Sequence, residues 1–402
     1  MSAATVATSA VPASPNPVIL ELVEQLVGFP TVSSQSNLGL IEWVRDYLAI
    51  HGVASQFTYD ASGKKANLFA TLGGGDKPGL ILSGHTDVVP VEGQHWHTEP
   101  FQASLLDHKL FGRGTADMKG FIGCALAMVP EILDANLPAP VHLALSYDEE
   151  VGCLGVRGLI ADLQDRQLKV AGCIVGEPTS MQPVIAHKGT NRFRCCVRGR
   201  EAHSSYTTLG VNAIEYAARL IVFISDMATR LAREDNQHTG FTLPYTTLQT
   251  GLIRGGIAAN IVPRDCEFMF DMRTVPSNDP QSLLDEIRAY ADTLLPVMRA
   301  IEPDAAIELE WLANAPGLSM EEDAALTQLV KQLTQTRHSN KVSYGTEAGL
   351  FQQAGIPTIV CGPGSIEQAH RPNEFVELSQ LAACEHFLHS LMQRGTISSA
   401  GL

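Results

Sequence analysis

Apolar positions recur at helical spacing in residues 17–29 and 38–51. Leu20, Leu22, Val23 and Leu26 carry the first stripe, and Leu40, Ile41, Val44 and Leu48 the second. Short β-rich runs follow: "QFTYD", "ANLFATL" and "GLILSG". A loop containing Pro and His covers 90–113. After it, "DMKGFIGCALAMVPEIL" predicts a helix opened by Asp117, because an acid suits a helix N-terminus. Three more apolar runs, "VHLALSY", "GCIVG" and, much later, "IPTIVCG", repeat the strand pattern. Apolar strands alternating with helices predict an α/β domain with a largely parallel sheet.

Between 189 and 312 the pattern changes. "FRCCVRG" reads as a strand, "GVNAIEYAARLIVFISDMATRLA" as a long helix and "TTLQTGLIRGG" as a strand. "CEFMFDMRTV" is another strand, "PQSLLDEIRAYADTLLPVM" another helix and "AIELEWLA" a last strand. The order β-α-β-β-α-β is that of a ferredoxin-like module. The expected organisation is an α/β domain in two parts, 1–188 and 313–402, with the module at 189–312 inserted between them. Residues 1–16 are expected to be a loose tail, and the chain to close with a helix over 376–393.

Composition narrows the partners. A chain of 402 residues exceeds one ordinary core, which agrees with two domains. A formal net charge of −15 argues against a nucleic-acid partner, which needs a basic face. No apolar run approaches the roughly 18 residues of a membrane-spanning helix. "MSAATVATSAVPASPNP" lacks the basic and apolar regions of a secretory leader, so a cytoplasmic location is expected. None of the eight cysteines forms a C-x-x-C pair, and most lie in apolar runs. They read as buried free thiols of a reducing compartment.

The candidate chemistry lies just after the buried strands. "GLILSG" leads to His85 and Asp87, "HLALSY" to Asp148, Glu149 and Glu150, "GCIVG" to Glu177, and "PTIVCGPGS" to His370. Ligands of open α/β sheets bind at the carboxyl ends of strands. Two histidines and several carboxylates are therefore expected at one edge, with Asp117 added from a helix start. Each segment alone is weak, since a lone run of acids is most often a solvated turn. Their joint occurrence in a chain with few charges is what points to a metal site. The remaining histidines other than His203 read as loop, surface or packing residues.

Nitrogen and oxygen donors without sulfur suit zinc, and also cobalt or manganese. The five candidate ligands are His85, Asp117, Glu177, His370 and one of the adjacent pair Glu149 and Glu150. They exceed the needs of one catalytic ion, whereas two ions sharing a carboxylate would use them all. Asp117 is the candidate bridge. Asp87, two residues from His85, points the same way on an extended segment and is expected to orient the imidazole rather than bind metal. Adjacent Glu149 and Glu150 on an extended segment point to opposite sides. One can ligate while the other acts as general base, and spacing leaves open which does which.

The segments "SGHTDVVP", "GRGTADMKG", "DEEVG", "GEPTS" and "GPGSIEQAHRPNEFV" resemble the co-catalytic metallopeptidase and amidohydrolase family, which includes deacetylases, desuccinylases, aminoacylases and carboxypeptidases. The resemblance covers nearly the whole chain after the tail. It implies an α/β zinc-hydrolase domain with a ferredoxin-like lid and dimerisation domain. It also implies two Zn2+ per chain, with Co2+ as a possible substitute. His85, Asp117 and Glu177 would share one ion, and Asp117, Glu150 and His370 the other. Glu149 becomes the general base, and Asp87 the residue that orients the His85 imidazole. In the inserted domain, "GREAHSS" matches a segment whose histidine, here His203, reaches the partner subunit's site in a homodimer. "GGIAANIVP" and "DMRTVP" match segments whose Asn260 and Arg273 hold a substrate carboxylate.

The implied reaction is metal-dependent hydrolysis of the acyl amide of a small N-acyl amino acid. "GEPTSMQPVIAHKG" and "SYGTEAGLF" are most similar to the branch acting on N2-acetyl-L-ornithine. Desuccinylase, aminoacylase, dipeptidase or carboxypeptidase activity on the same site is the alternative. A non-enzymatic metal-binding protein is a third reading, against which the presence of Glu149 argues. His203 capping a helix and Arg273 pairing with Asp271 are the ordinary structural roles open to these two residues.

Overall fold

The structure is a computed structural model that describes residues 12–234 and 238–393. Most of the expected N-terminal tail, residues 1–11, lies outside the described residues. The chain divides into two compact units. One runs to Ile185 and takes in Met320–Asn340 and the residues from Thr346 on; the other comprises Ala186–Ser319 and Lys341–Gly345.

The first unit opens with α1 (Pro17–Val27) and α2 (Leu38–Ile50). Pro17 sits at the first helical position, where its missing N–H costs nothing, and the Asn16 side chain caps the helix by accepting from Val18 N at 3.0 Å. Ile19, Leu22, Val23, Leu26 and Val27 bury one face of α1. Strands β1 (Ser55–Tyr59), β2 (Ala66–Leu72) and β3 (Gly79–His85) follow, then the short β4 (Ser104–Leu106) and β5 (Lys109–Phe111). Next come α3 (Lys119–Ala127), α4 (Val129–Asp134), β6 (Val141–Ser146), α5 (Val156–Asp165), β7 (Val170–Val175) and β8 (Val184–His187). The helix expected from Asp117 thus begins at Lys119 and breaks at Met128; a second helix starts at Val129 with Pro130 in its first turn.

The second unit carries β9 (Gly189–Arg198), β10 (Ala202–His203), a 3-10 turn over Ser204–Leu209, α6 (Ala213–Glu234), β11 (Thr247–Gly255) and β12 (Ile261–Val262). It continues with β13 (Asp265–Thr274), α7 (Pro280–Arg299), β14 (Ala306–Ala315) and β15 (Leu318–Ser319). Its main sheet is antiparallel in the order β11-β13-β9-β14. With two helices, this is the β-α-β-β-α-β module, elaborated by the β10–β12 pair. Along β9, Asn191, Phe193, Cys195 and Val197 are buried while Arg192 and Arg198 are exposed, the two-residue period of a sheet covered on one face. Phe193 stacks on Phe270 with ring centroids 4.8 Å apart.

Chain order closes with α8 (Ala325–Leu333), β16 (Asn340–Val342), α9 (Ala348–Gln353), β17 (Thr358–Val360), β18 (Phe375–Glu377) and α10 (Leu378–Gln393). In the first unit the parallel strands are β6, β3, β7 and β17, neighbours in that order. The sheet is parallel at its centre, while β1, β2 and β8 run antiparallel toward its margins. All seven residues of β3 are buried, as expected of a central strand covered on both faces. Pattern reading passed over β4, β5 and β18, which form a separate small sheet; at three residues each they are too short for a period to register.

Candidate metal centre

The carboxyl ends of β3, β6, β7 and β17 lie side by side, and each feeds one part of the centre. β3 ends on His85, β6 leads into Asp148–Glu150, β7 is followed by Glu177, and the loop after β17 reaches His370. Gly176 separates β7 from Glu177. A Cβ there would lie 2.0 Å from the Phe121 ring, so only glycine lets α3 pack this closely under Glu177.

The five expected ligands come together. His85 Nε2 is 3.0 Å from Asp117 Oδ1 and 3.7 Å from Glu177 Oε1. His370 Nε2 is 3.0 Å from Glu150 Oε2 and 3.3 Å from Asp117 Oδ2. Asp117 therefore sits between two imidazoles, each with a glutamate beside it. Ligand-capable atoms of His85, Asp117 and Glu150 lie within 4.8 Å of one another, as do those of His85, Glu149 and Glu177. His85, Asp117 and Glu177 are buried, while the His370 side chain is 53% exposed and leaves a way in.

Asp87 orients the imidazole, as expected of it, but through its backbone more than its carboxylate. His85 Nδ1 donates to the Asp87 backbone carbonyl at 2.9 Å, whereas the Asp87 carboxylate is 3.6 Å away. The carbonyl fixes the tautomer and aims Nε2 at Asp117. The Asp87 carboxylate instead accepts from the backbone N–H of Glu149 at 3.0 Å and of Glu150 at 3.3 Å, and from the Ser33 hydroxyl at 2.7 Å. The segment carrying Glu149 and Glu150 is also not extended. Asp148 has φ +55°, and the N–H groups of Gly152 and Cys153 both donate to the Glu149 carbonyl. A turn held by Asp87 sends the two side chains apart, so strand alternation is not the cause. Lys65 secures the turn from outside through an ion pair to Asp148 at 2.5 Å.

The electrostatics are those of negative charge packed without enough positive charge. Burial pushes Glu149 up to about 8, with Glu150, Asp117 and Asp87 adding to the effect. Burial and Asp117 push Glu150 up to about 7, and Glu177 is driven well above the carboxylate range by the same causes. Burial works against the charged form of Asp117 too, but hydrogen bonds from His370 and His85 hold it below its ordinary value. Those bonds raise His370 to about 10, and His85 rises despite its burial. Four carboxylates and two imidazoles with no thiolate make a hard donor set with surplus negative charge. That set fits a pair of divalent cations and little else.

Several residues of the centre escaped sequence reading. Glu347 is buried and accepts from Ser83 Oγ at 2.6 Å and Ser146 Oγ at 2.7 Å, tying β3 to β6 just below His85. Burial raises its carboxyl, against the two serine hydrogen bonds. Cys153 Sγ lies 3.2 Å from Glu149 Oε1 and donates to it. Glu374 and Arg113 form a buried ion pair at 2.7 Å. An acid or base set among small and apolar residues, as in "GTEAG" and "GRG", was the available signal. All eight cysteines are free, and all but Cys196 are buried.

Three expected site residues belong to the second unit. His203 is exposed and its Nδ1 accepts from Ser205 N at 3.1 Å, capping the 3-10 turn. Asn260 is also exposed. Its carbonyl accepts from Ser204 N at 3.0 Å, and the β10–β12 pairing of His203 with Ile261 brings the two segments together. Arg273 lies on β13, where Nε donates to Asp271 at 2.8 Å and another guanidinium N–H to Thr190 Oγ1 at 2.8 Å.

An α/β unit interrupted by a β-α-β-β-α-β unit, with histidine–carboxylate groups at its parallel strand ends, is the architecture of metal-dependent peptidases and amidohydrolases. The chain belongs to peptidase family M20/M25/M40, whose family model matches residues 81–394. It is 35% identical over 384 residues to an acetylornithine deacetylase of Pasteurella multocida, covering 94% of this chain and 97% of that one. It is 36% identical over 389 residues to one of Yersinia pseudotuberculosis, with 94% and 97% covered. Among solved structures, it is similar to the M20 family metallo-carboxypeptidase Sso-CP2 of Sulfolobus solfataricus, with a TM-score of 0.74 at 18% identity over 93% of this chain and 98% of that one. Aminopeptidase PepT of Bacillus cereus gives 0.73 at 18% identity over 95% and 99%. At such identities the likeness is one of fold. No helix among the described residues is long and apolar enough to cross a membrane.

Proposed function

We propose that the protein is a two-metal hydrolase that splits N2-acetyl-L-ornithine into L-ornithine and acetate, an ornithine-forming step of arginine biosynthesis. The observation that carries this reading is Asp117 Oδ1 and Oδ2 lying 3.0 and 3.3 Å from the Nε2 atoms of two different histidines, as a shared carboxylate requires. Identity of 35% to acetylornithine deacetylases over nearly the full chain supports the substrate.

His85, Asp117 and Glu177 would hold one ion and Asp117, Glu150 and His370 the other. Zinc is the proposed metal, and cobalt would substitute. When bound, such ions polarise an acyl carbonyl and make water acidic enough to be deprotonated near neutral pH. Glu149 stands outside both sets. It takes a proton from the water whose oxygen bonds to the acyl carbon, then passes that proton to the amine nitrogen as the C–N bond breaks. The Cys153 thiol and the amide hydrogen bond to Asp87 hold Glu149 for both transfers.

The inserted unit is proposed as lid and dimerisation domain of a homodimer. His203 accepts a backbone N–H at Nδ1, so Nε2 carries the ring proton and can donate to the developing oxyanion of the partner's site. Asn260 and Arg273 are proposed to hold the substrate α-carboxylate, which suits a guanidinium fork.

Zinc-loaded protein offered N2-acetyl-L-ornithine, N-succinyl-L,L-diaminopimelate and dipeptides in parallel tests the reading. It predicts ornithine release far faster than the other cleavages, abolished by a chelator. Preference for a succinyl or peptidyl substrate would overturn the acetylornithine assignment, and chelator-insensitive turnover would overturn the metal mechanism.

A further inference from the structure

His370 is the one exposed ligand candidate, and its backbone adopts φ +65°, a left-handed conformation unfavourable for a residue with a Cβ. Asn373, three residues on, has φ +58°. Such a conformation persists where its surroundings over-determine it. The surroundings are a chain of polar contacts within the first unit. Gln94 donates its side-chain N–H to the His370 carbonyl at 2.9 Å. The Gln94 side-chain oxygen accepts from Arg113 at 2.7 Å and from Trp96 Nε1 at 3.2 Å. Arg113 donates through its other amino group to Glu374 Oε2 at 2.7 Å. Glu374 then takes three backbone amides: Gly114 N at 3.0 Å, Ala116 N at 2.9 Å and Asp117 N at 3.1 Å.

Glu374 is 1% exposed and Arg113 equally buried, so neither is a surface ornament. Burying this charge pair is costly unless the remaining lone pairs are satisfied, and the three amides satisfy them. They are amides of the segment that delivers Asp117. At its other end the chain grips the residue that presents the opposite imidazole. A second tie, His97 N to Asn373 Oδ1 at 2.7 Å, keeps the two loops in register.

We propose that Gln94, Arg113 and Glu374 form a positioning relay that joins the Asp117 segment to the His370 loop and so assembles the half of the metal centre made by Asp117, Glu150 and His370. The inference rests on the two-metal reading and deepens it. The relay meets Asp117 and His370 only at backbone atoms, the Asp117 N–H and the His370 carbonyl. Gln94 acts on His370 alone, through its carbonyl, while Glu374 acts on Asp117, which both ion sites share. The relay therefore has a polarity: loss of Gln94 weakens one ion site, and loss of Glu374 weakens both.

The test is calorimetric titration of the metal-free full-length protein with zinc chloride, alongside thermal unfolding of the metal-free forms. Wild type binds two ions; if it does not, the two-metal reading fails first, and the relay is not what has been refuted. Gln94→Glu keeps the oxygens that Arg113 and Trp96 use but loses the donor to His370. The relay predicts one ion bound as in wild type, the second at least about tenfold weaker, and an unchanged metal-free unfolding temperature. Glu374→Gln keeps an acceptor but lacks the charge, and weakens both ions; Glu374→Asp restores part of that loss. The two substitutions combined weaken the second ion by less than the product of their separate effects, as linked residues do. Two ions bound by Gln94→Glu as tightly as by wild type would overturn the proposal. So would equal weakening of both ions by Gln94→Glu, or independent effects in the double variant.

Discussion

The Asp87 carboxylate receives the backbone N–H of Glu149 at 3.0 Å, so a residue two positions beyond His85 governs the turn that carries the proposed base. Asp87 reaches His85 through its carbonyl and the Glu149–Glu150 turn through its carboxylate. One residue thereby fixes two parts of the centre. Asp87→Asn keeps the carbonyl and one oxygen but presents N–H to an amide donor. We predict a kcat lower by about 10–100-fold, with both ions retained, measured by steady-state kinetics beside elemental analysis. Wild-type kcat in Asp87→Asn would remove this role.

Glu149 tests the division of labour between the adjacent glutamates. Glu149→Ala is predicted to keep two ions per chain and lose about 10²–10⁴-fold in kcat. Because Glu149 also lies within ligating reach of His85 and Glu177, the metal content decides the matter. One ion per chain in Glu149→Ala would make Glu149 a ligand instead of a base.

Sharing across a dimer is tested by complementation. His203→Ala and Glu149→Ala chains, each inactive alone, are predicted to regain activity when refolded together, because one site of each mixed dimer has an intact base and an intact partner histidine. Verified mixed dimers with no activity above either parent would confine His203 to its capping of Ser205.

Much of the candidate centre was legible because all its candidate ligands but Asp117 follow buried strands, and buried parallel strands are conspicuous in sequence. The residues at the ends of β3, β6 and β7 stand out as isolated charges after apolar runs. The six main elements of the antiparallel module were equally readable, since "FRCCVRG" and "CEFMFDMRTV" alternate with a two-residue period over a helix-covered face. What stayed hidden was tertiary. Nothing in the spacing of His85 and Asp87 says that a carbonyl, and not the carboxylate, meets the imidazole. Nor does it say that "DEE" forms a turn, in which Asp148 has φ +55°, Lys65 holds the Asp148 carboxylate and Asp87 holds the Glu149 amide. The roles of Glu347 and Glu374 were hidden for a related reason: each works on segments more than 200 residues away, at Ser83 and Ser146 or at Gly114–Asp117.

Stability carries its own pH signature. His142 is buried on β6, stacked on Phe69, and burial lowers its pKa from 6.5 to about 4, with Arg166 adding to the shift. The unfolded chain then binds a proton that the folded chain refuses. Stability is full above pH 6.5 and falls as pH drops from 6.5 toward 4, at up to about 1.4 kcal/mol per pH unit from this one group. His142→Gln is predicted to be less stable near neutrality but to lose less on acidification, measured as the change in urea midpoint between pH 7 and pH 5. Parallel losses in the two proteins would show that His142 does not titrate in this way.

The account depends most on Asp117 being shared by two ions. The direct measurement is a crystal structure of zinc-loaded protein with anomalous scattering recorded at the zinc edge. Two peaks per chain are predicted, with one Asp117 oxygen directed at each, His85 and Glu177 on one side and His370 and Glu150 on the other. A single peak, or two peaks of which only one touches Asp117, would contradict it.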